Sequence, residues 1–338
     1  MKVCVCGGGN IAHATAAVLA ESGPVSVFTR RAAEWSDRIS CFCGDGKVPR
    51  QGANVVTAGD DAAMVSEADV LIISIPRFAI DGFLASIDGR LHAGQSILFN
   101  PAPAGMEAIV ERMGEKGVEV AGLQRVPNVA RTISYGKSVW IAETRKVVKF
   151  AVSNRSSADK WVDFIESRFG CRATMLSSFL SFTFSNSNPL LHPPRLLELL
   201  DGGDGGVYGE CPLFYADWGN WAAELYVCAD VETRAAFAAY SKEAAESDYE
   251  SALEHYDAGS PSELAANMRS IAALKKISAP WKRRDDGLWV PDFDSRYFTE
   301  DVPCGTKIIQ RYAKEAGVPT PAIDYLVSEI ERKTSQWK

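Results

Sequence analysis

The chain has 338 residues, 46% of them hydrophobic and 23% charged. At roughly 100–200 residues per domain that is enough for two domains, and it is too apolar for disorder to be the main state. Acidic residues number 43 and basic ones 36, and the net charge of −7 argues against nucleic acid or an anionic membrane as partner. No apolar run approaches the ~20 residues of a membrane helix. Eight cysteines do not form a disulfide framework. Cys4 and Cys6 alternate on a strand, and Cys41-x-Cys43 lacks the second pair a metal site needs, so no metal is expected. Lys2 and the Ala-rich stretch after it mimic a signal peptide faintly, but a nucleotide fold needs the same residues. The expectation is a reduced, cytoplasmic protein.

In chain order, residues 2–6 read as a short apolar strand and 11–22 as an Ala-rich helix. Strands follow at 25–29 and, more weakly, 55–57. Residues 70–75 and 96–100 are near-continuous apolar runs, as strands buried on both faces should be. Helix patterns lie at 61–67, 78–87, 104–115 and 158–168, and further strands at 118–123, 137–142, 147–152 and 173–176. After about residue 180 the period changes. Helices are expected at 188–200, 213–228, 231–252, 261–275, 304–316 and 321–333, interrupted by the Gly/Asp run 201–206 and a loop over 278–302. The fold class is therefore an α/β Rossmann-type doubly wound parallel sheet domain, residues 1–180, followed by an all-α C-terminal domain, residues 181–338. The active cleft is expected between them, at the carboxyl ends of the strands.

The first strand runs into Gly7-Gly8-Gly9-Asn10-Ile11-Ala12 and then a helix, which is G-x-G-x-x-A in its strand–turn–helix context. Gly7 makes the tight turn, Gly9 lets backbone approach a pyrophosphate, and Ala12 permits close helix packing. The exposed amides and the helix dipole hold the diphosphate. The second strand ends Phe28-Thr29-Arg30-Arg31, without the acid that binds a ribose 2′-OH in NAD enzymes. Arg30 and Arg31 suit a 2′-phosphate, with Thr29 adding a hydrogen bond, so NADP(H) is preferred and NAD(H) remains possible. In the alternative, one arginine stacks on adenine. Pro76, closing the apolar run 70–76, is counted with the cofactor-binding residues.

Of four histidines, His13 lies one turn into the cofactor helix and reads as structural, while His92 and His255 sit in polar surroundings. His192 stands in Asn188-Pro189-Leu190-Leu191-His192-Pro193-Pro194, just after the change of domain. Asn188 and His192 share a helix face, with Pro189 in the first turn and Pro193 and Pro194 expected to kink or interrupt the helix. A single histidine in such a place is ordinarily just packed or exposed. Downstream, Arg296 stands five residues before Asp301. An Arg there can bind a carboxylate while the Asp orients a histidine, but on spacing alone Asp301 or Thr299 is a cap for the helix containing Pro303. Tyr215, Trp218 and Trp221 recur along one side of an expected helix, as core or as an aromatic wall for substrate. Ile323, Leu326, Val327 and Ile330 suggest a final helix packed on the core or on a second subunit, so a homodimer is possible.

The chain resembles the octopine/nopaline (opine) dehydrogenases over most of its length. The resemblance rests on Gly7 to Ala14, Val126 to Arg131, Asn188 to Pro193, Phe214-Tyr215, Asp230-Val231-Glu232, Arg296 to Pro303, and Gly317 to Pro321 with Asp324. Ile11 stands where a small residue is commoner in that family, and Cys304 where an aromatic is. The resemblance implies small-molecule substrates, an amino acid and an α-keto acid, which condense to an imine that the nicotinamide reduces. It implies His192 as general acid/base, Asp301 as its partner, Arg296 as holder of a substrate carboxylate and Asn188 as the group orienting the keto acid or imine. Ketopantoate or glycerol-3-phosphate dehydrogenase-like reductases share the first half but normally use a lysine near the domain junction, and residues 177–191 contain none. A dinucleotide sensor without chemistry would need neither His192 nor Asp301.

Overall fold

The computed structural model describes residues 1–44, 49–51, 56–272 and 274–337. Val55 of the expected weak strand and Ala273 of the expected helix 261–275 lie outside them. The chain divides into two compact units, Met1–Phe179 and Leu180–Lys338.

The first unit contains β1 (Val3–Cys6), α1 (Asn10–Leu19), β2 (Val25–Phe28), β3 (Ser40–Cys43), β4 (Pro49–Gln51), β5 (Val56–Gly59), α2 (Ala63–Ser66), β6 (Val70–Ile73), α3 (Arg77–Ile87), β7 (Ser96–Phe99), α4 (Glu107–Glu115) and β8 (Glu119–Leu123). It ends with β9 (Asn128–Ser134), β10 (Ser138–Thr144), β11 (Val147–Val152), α5 (Ala158–Phe169) and β12 (Arg172–Met175). Eight strands form one sheet in the order β12-β11-β8-β7-β6-β1-β2-β5. Every neighbouring pair is parallel except β8 with β11. The six strands β5-β2-β1-β6-β7-β8 follow the doubly wound 3-2-1-4-5-6 order. The order reverses beside β1, so the turn after β1 opens at the switch point where such sheets bind ligands. β1, β6 and β7 are buried at every position, which is why they read as unbroken apolar runs.

A second sheet, β4-β3-β10-β9, corrects the sequence reading, which placed no strand at 40–43, 49–51 or 128–134. These strands are short or carry many polar residues, and their pairing is non-local. Val139 and Ile141 of β10 are buried while Trp140 between them is exposed. Alanines make α1 thin. Ala12, Ala14, Ala16 and Ala17 are all buried, and Asn10 Oδ1 accepts the Thr132 amide of β9 at 2.9 Å.

The second unit contains α6 (Leu180–Phe184), α7 (Asn188–Asp201), α8 (Asn220–Tyr240), α9 (Lys242–Ser247), α10 (Ala252–His255), α11 (Pro261–Ser270), β13 (Trp281–Arg283), β14 (Trp289–Pro291), a π-helical run Tyr297–Thr306, α12 (Lys307–Glu315) and α13 (Pro321–Gln336). Four expectations are corrected. The helices expected at 213–228 and 231–252 share one helix, α8, which starts only at Asn220 and breaks at Ser241, whose hydroxyl caps α9. Tyr215 and Trp218 therefore precede the helix that carries Trp221, and the three share no helix face. The loop expected over 278–302 holds the β13–β14 hairpin and the start of the π-helical run. Pro193 and Pro194 do not interrupt α7, which runs through both. Ile323, Leu326 and Ile330 pack in the core of this unit, and Glu232 of α8 accepts the Ala322 and Ile323 amides at the head of α13. Among the described residues no helix is long and apolar enough to cross a membrane.

Gly7 has φ +140°, and a Cβ on it would lie 2.6 Å from the Ser74 carbonyl oxygen at the end of the neighbouring strand. Gly7→Ala is expected to cost about 1–3 kcal/mol of stability. The expected readout is a lower urea midpoint at unchanged m-value, and an unchanged midpoint would show that the turn tolerates a side chain.

Candidate active site

The second unit builds its site around a proline. Pro193 has no amide to give the carbonyl four residues back, that of Pro189. The Thr306 hydroxyl donates to that carbonyl instead, at 2.6 Å, and both partners are buried. Gly305 makes the approach possible, because a Cβ there would overlap the Pro189 ring. The π-helical run is thus docked on the first turns of α7, and with it Asp301. Asp301 lies inside that run, so it does not serve as the helix cap that spacing alone favoured.

The docking brings Asp301 to His192. Asp301 Oδ2 lies 2.7 Å from His192 Nδ1, and the side chains are only 16% and 8% exposed. A carboxylate accepts only, so Nδ1 carries the proton it donates and Nε2 is left for chemistry. The Tyr297 ring lies 4.4 Å from the imidazole, and Phe214 meets it edge-on at 5.4 Å. The Tyr215 hydroxyl is 3.4 Å from Nε2. Burial pushes the Tyr215 and Tyr297 phenols above their ordinary value, so both stay protonated near neutral pH.

Arg296 is not drawn into this cluster. Its side chain is 80% exposed and donates to Glu300 at 2.5 Å. Asn188 is exposed at the start of α7, and its amide bonds the Asn186 side chain. Sequence reasoning missed Thr306 and also Arg195, one turn beyond His192 and 3% exposed. The signal for Arg195 was present: the two charges in the apolar run from Leu190 to Leu200, Arg195 and Glu198, stand three apart, and a charge in such a run must be paired to be buried.

The turn after β1 fits a dinucleotide. Gly9 begins α1 with no side-chain cap, and a Cβ there would meet nothing within 4 Å, so the amide end of the helix faces open space. Nearby strand ends carry two orphaned polar atoms, Ser74 Oγ and Asn100 Oδ1, both buried without a hydrogen-bond partner. Ala12 is buried and Ile11 half-buried, while Asn10 spends its side-chain oxygen on Thr132. Pro76 is exposed at the head of α3. Gly8 lies under the Tyr135 hydroxyl, which is also 3.4 Å from Thr29 Oγ1. Arg31 is already engaged. It pairs with Glu34, donating from Nε at 2.5 Å, and its guanidinium lies 3.7 Å from the Tyr135 ring centroid. Arg30 is exposed, and among the described residues it has no ion-pair partner.

His13 ties the second sheet to this turn. Its Nδ1 donates to Gly9 O at 2.9 Å, its Nε2 accepts the Gly136 amide at 2.7 Å, and its ring stacks on Trp35. Burial lowers its pKa below the ordinary 6.5, and nearby Arg31 lowers it further against the opposing Gly9 bond.

A family model described as the α-helical domain of NAD/NADP octopine/nopaline dehydrogenase matches residues 175–333. The chain belongs to the octopine/nopaline (opine) dehydrogenase family. A second family model, described as coenzyme F420-dependent NADP oxidoreductase, matches residues 2–98. The chain is 26% identical to tauropine dehydrogenase of Arabella iricolor, over 97% of this chain and 90% of that one. It is 27% identical to octopine dehydrogenase of Mizuhopecten yessoensis, over 98% and 90%. A solved structure of octopine dehydrogenase with NADH and L-arginine matches it at a TM-score of 0.87 and 25% identity, over 99% of this chain and 90% of that one. Like other opine dehydrogenases it is an NAD(P)-dependent oxidoreductase.

Two outcomes follow for these contacts. Thr306→Val should lower kcat without moving dinucleotide affinity, and Thr306→Ser, which keeps the hydroxyl, should restore it. Equal kcat in both variants would sever Thr306 from the placing of Asp301. For His13, the unfolded chain binds a proton near pH 6.5 that the folded ring resists, so stability is full above that value and is lost as pH falls below it toward the folded pKa. Urea midpoints from about pH 7.5 to about pH 5 should fall less steeply in His13→Asn than in the parent, and parallel curves would count against this assignment.

Proposed function

We propose that the protein condenses the amine of an α-amino acid with an α-keto acid and reduces the resulting imine, with His192 and Asp301 as the acid–base pair. The observation that carries this reading is the 2.7 Å contact of Asp301 with His192 Nδ1, which fixes the tautomer and stabilises the imidazolium. In condensation, the imidazolium gives its Nε2 proton toward the departing oxygen of the carbinolamine. Bound reduced nicotinamide supplies the hydride, and the amides heading α1 hold its diphosphate. Asn188 orients the keto acid or imine. Arg296 takes a substrate carboxylate in exchange for Glu300, with which it shares a surface ion pair of small net strength. An octopine dehydrogenase carries L-arginine with NADH in its solved structure, which supports an amino acid as the amine partner.

The cofactor reading is NADP(H) ahead of NAD(H), now supported by Arg30 alone, because Arg31 is occupied by Glu34 and Tyr135. Arg30→Ala should lower kcat/KM with NADPH about tenfold, equivalent to about 1.4 kcal/mol, and leave NADH unchanged. Equal losses with both cofactors would remove the 2′-phosphate from the account.

The deciding experiment is NADPH oxidation with pyruvate, with and without a panel of amino acids. Oxidation should require the amine, and the product should be a secondary amine. His192→Asn should abolish turnover while dinucleotide affinity, measured by calorimetry, stays as in the parent. Oxidation with the keto acid alone would make the enzyme a simple carbonyl reductase and overturn this reading.

A further inference from the structure

Asp301 occupies Nδ1 of His192, so every proton exchanged with substrate leaves or enters at Nε2. The hydrogen-bond position there is held by the Tyr215 hydroxyl, 3.4 Å away. The imidazole is otherwise walled by aromatic rings, with Phe214 edge-on and Tyr297 across one face. A phenol has one proton to give and lone pairs to receive another, so it can accept from Nε2–H while donating onward. Hydrogen bonds of this kind are often long before substrate binds and tighten afterwards.

Tyr215 is not on a helix, and its position is set by two side chains from the helix that carries His192. Arg195 donates from Nε to the Phe214 carbonyl at 2.7 Å and from Nη2 to the Leu213 carbonyl at 2.9 Å. Its Nη1 donates to Glu198 at 2.5 Å, and the same Glu198 oxygen accepts the Gly219 amide at 3.2 Å. A Cβ at residue 219 would overlap the Glu198 carboxylate, so a side chain there would push that carboxylate out of its present place. The segment is thus pinned before and after Tyr215, whose ring also stacks on Trp218 at 6.0 Å and 17°. A buried guanidinium is costly unless its whole fork is used, and here the fork is spent on the backbone that presents Tyr215.

We infer that Tyr215 relays the proton between His192 and the substrate, and that Arg195 and Glu198 are the positioning pair that holds it there. This rests on the reading of His192 as the acid–base group. In condensation, the imidazolium Nε2–H moves to the Tyr215 oxygen as the Tyr215 O–H proton moves to the carbinolamine hydroxyl. The C–O bond breaks, water leaves, and the nitrogen lone pair forms the C=N bond. His192 is left neutral, still donating Nδ1–H to Asp301, and recovers one proton from solvent per turnover. The dinucleotide of the established oxidoreductase chemistry is the reductant.

Tyr215→Phe keeps the ring and its stack and removes only the hydroxyl. It is expected to lower kcat about 100-fold, the order of one general acid–base step, with substrate KM and dinucleotide Kd within about twofold of the parent. In the free protein, the 15N resonance of His192 Nε2 should move in Tyr215→Phe and stay in place in the control Trp221→Phe, whose kcat should be unchanged. Arg195→Lys keeps the charge but loses the fork, and Glu198→Gln weakens the same clamp. Both should lower kcat more than they raise KM. If Arg195→Lys does not fold, Glu198→Gln decides the clamp and Tyr215→Phe the relay. Parental kcat in Tyr215→Phe, with His192→Asn inactive, would overturn the relay and leave the reading of His192 standing. Turnover by His192→Asn would overturn both. Parental kcat in Glu198→Gln would overturn the clamp.

Discussion

A proline inside a helix removes one amide and leaves a carbonyl without its donor. In α7 that carbonyl belongs to Pro189, and Thr306, far along the chain, supplies the missing proton. An unpaired buried carbonyl costs about 1–3 kcal/mol, so the two segments have a specific reason to stay docked. The His192–Asp301 contact depends on this docking, because Asp301 lies five residues before Thr306 on the same π-helical run. The proline that looks like a defect in α7 is therefore what recruits Asp301 to His192.

The same helix organises the other side of the histidine. Arg195 and Glu198 lie one and two turns beyond His192 and grip the backbone from Leu213 to Gly219. Phe214 and Tyr215 are consequently presented to the imidazole by one segment, and Tyr297 and Asp301 by another. Two segments distant in sequence from α7 and from each other converge on one ring, and each is held by hydrogen bonds to backbone rather than by surface charge pairs. Such bonds are short-ranged and buried, so salt does little to weaken them.

The nucleotide-binding unit follows a parallel logic. The turn after β1 is left uncapped, and His13, one turn into α1, ties that turn to the tip of the β9–β10 hairpin. The hairpin carries Tyr135, which covers Gly8 and stacks on Arg31. The small second sheet thus shapes one side of the turn, although nothing in β9 or β10 resembles a nucleotide motif.

The parallel sheet was legible because buried strands leave unbroken apolar runs and the glycine turn has a fixed chain context. The family was legible because short motifs recur in a set order from Gly7 to Asp324. His192 and Asp301 stood in those motifs, but spacing alone gave Asp301 the role of a helix cap. The β3–β4–β10–β9 sheet, the late start of α8 and the uninterrupted α7 were not legible, because each depends on partners remote in sequence. Arg31 illustrates the limit: its charge is in the sequence, but its capture by Glu34 and Tyr135 appears only in the fold. The sequence alone determined which chemical groups the chain carries and the order of its elements, since periodicity and turn residues act locally. The tertiary structure decided which groups meet, because the Thr306 and Arg195 bonds that align the site join segments no local rule connects.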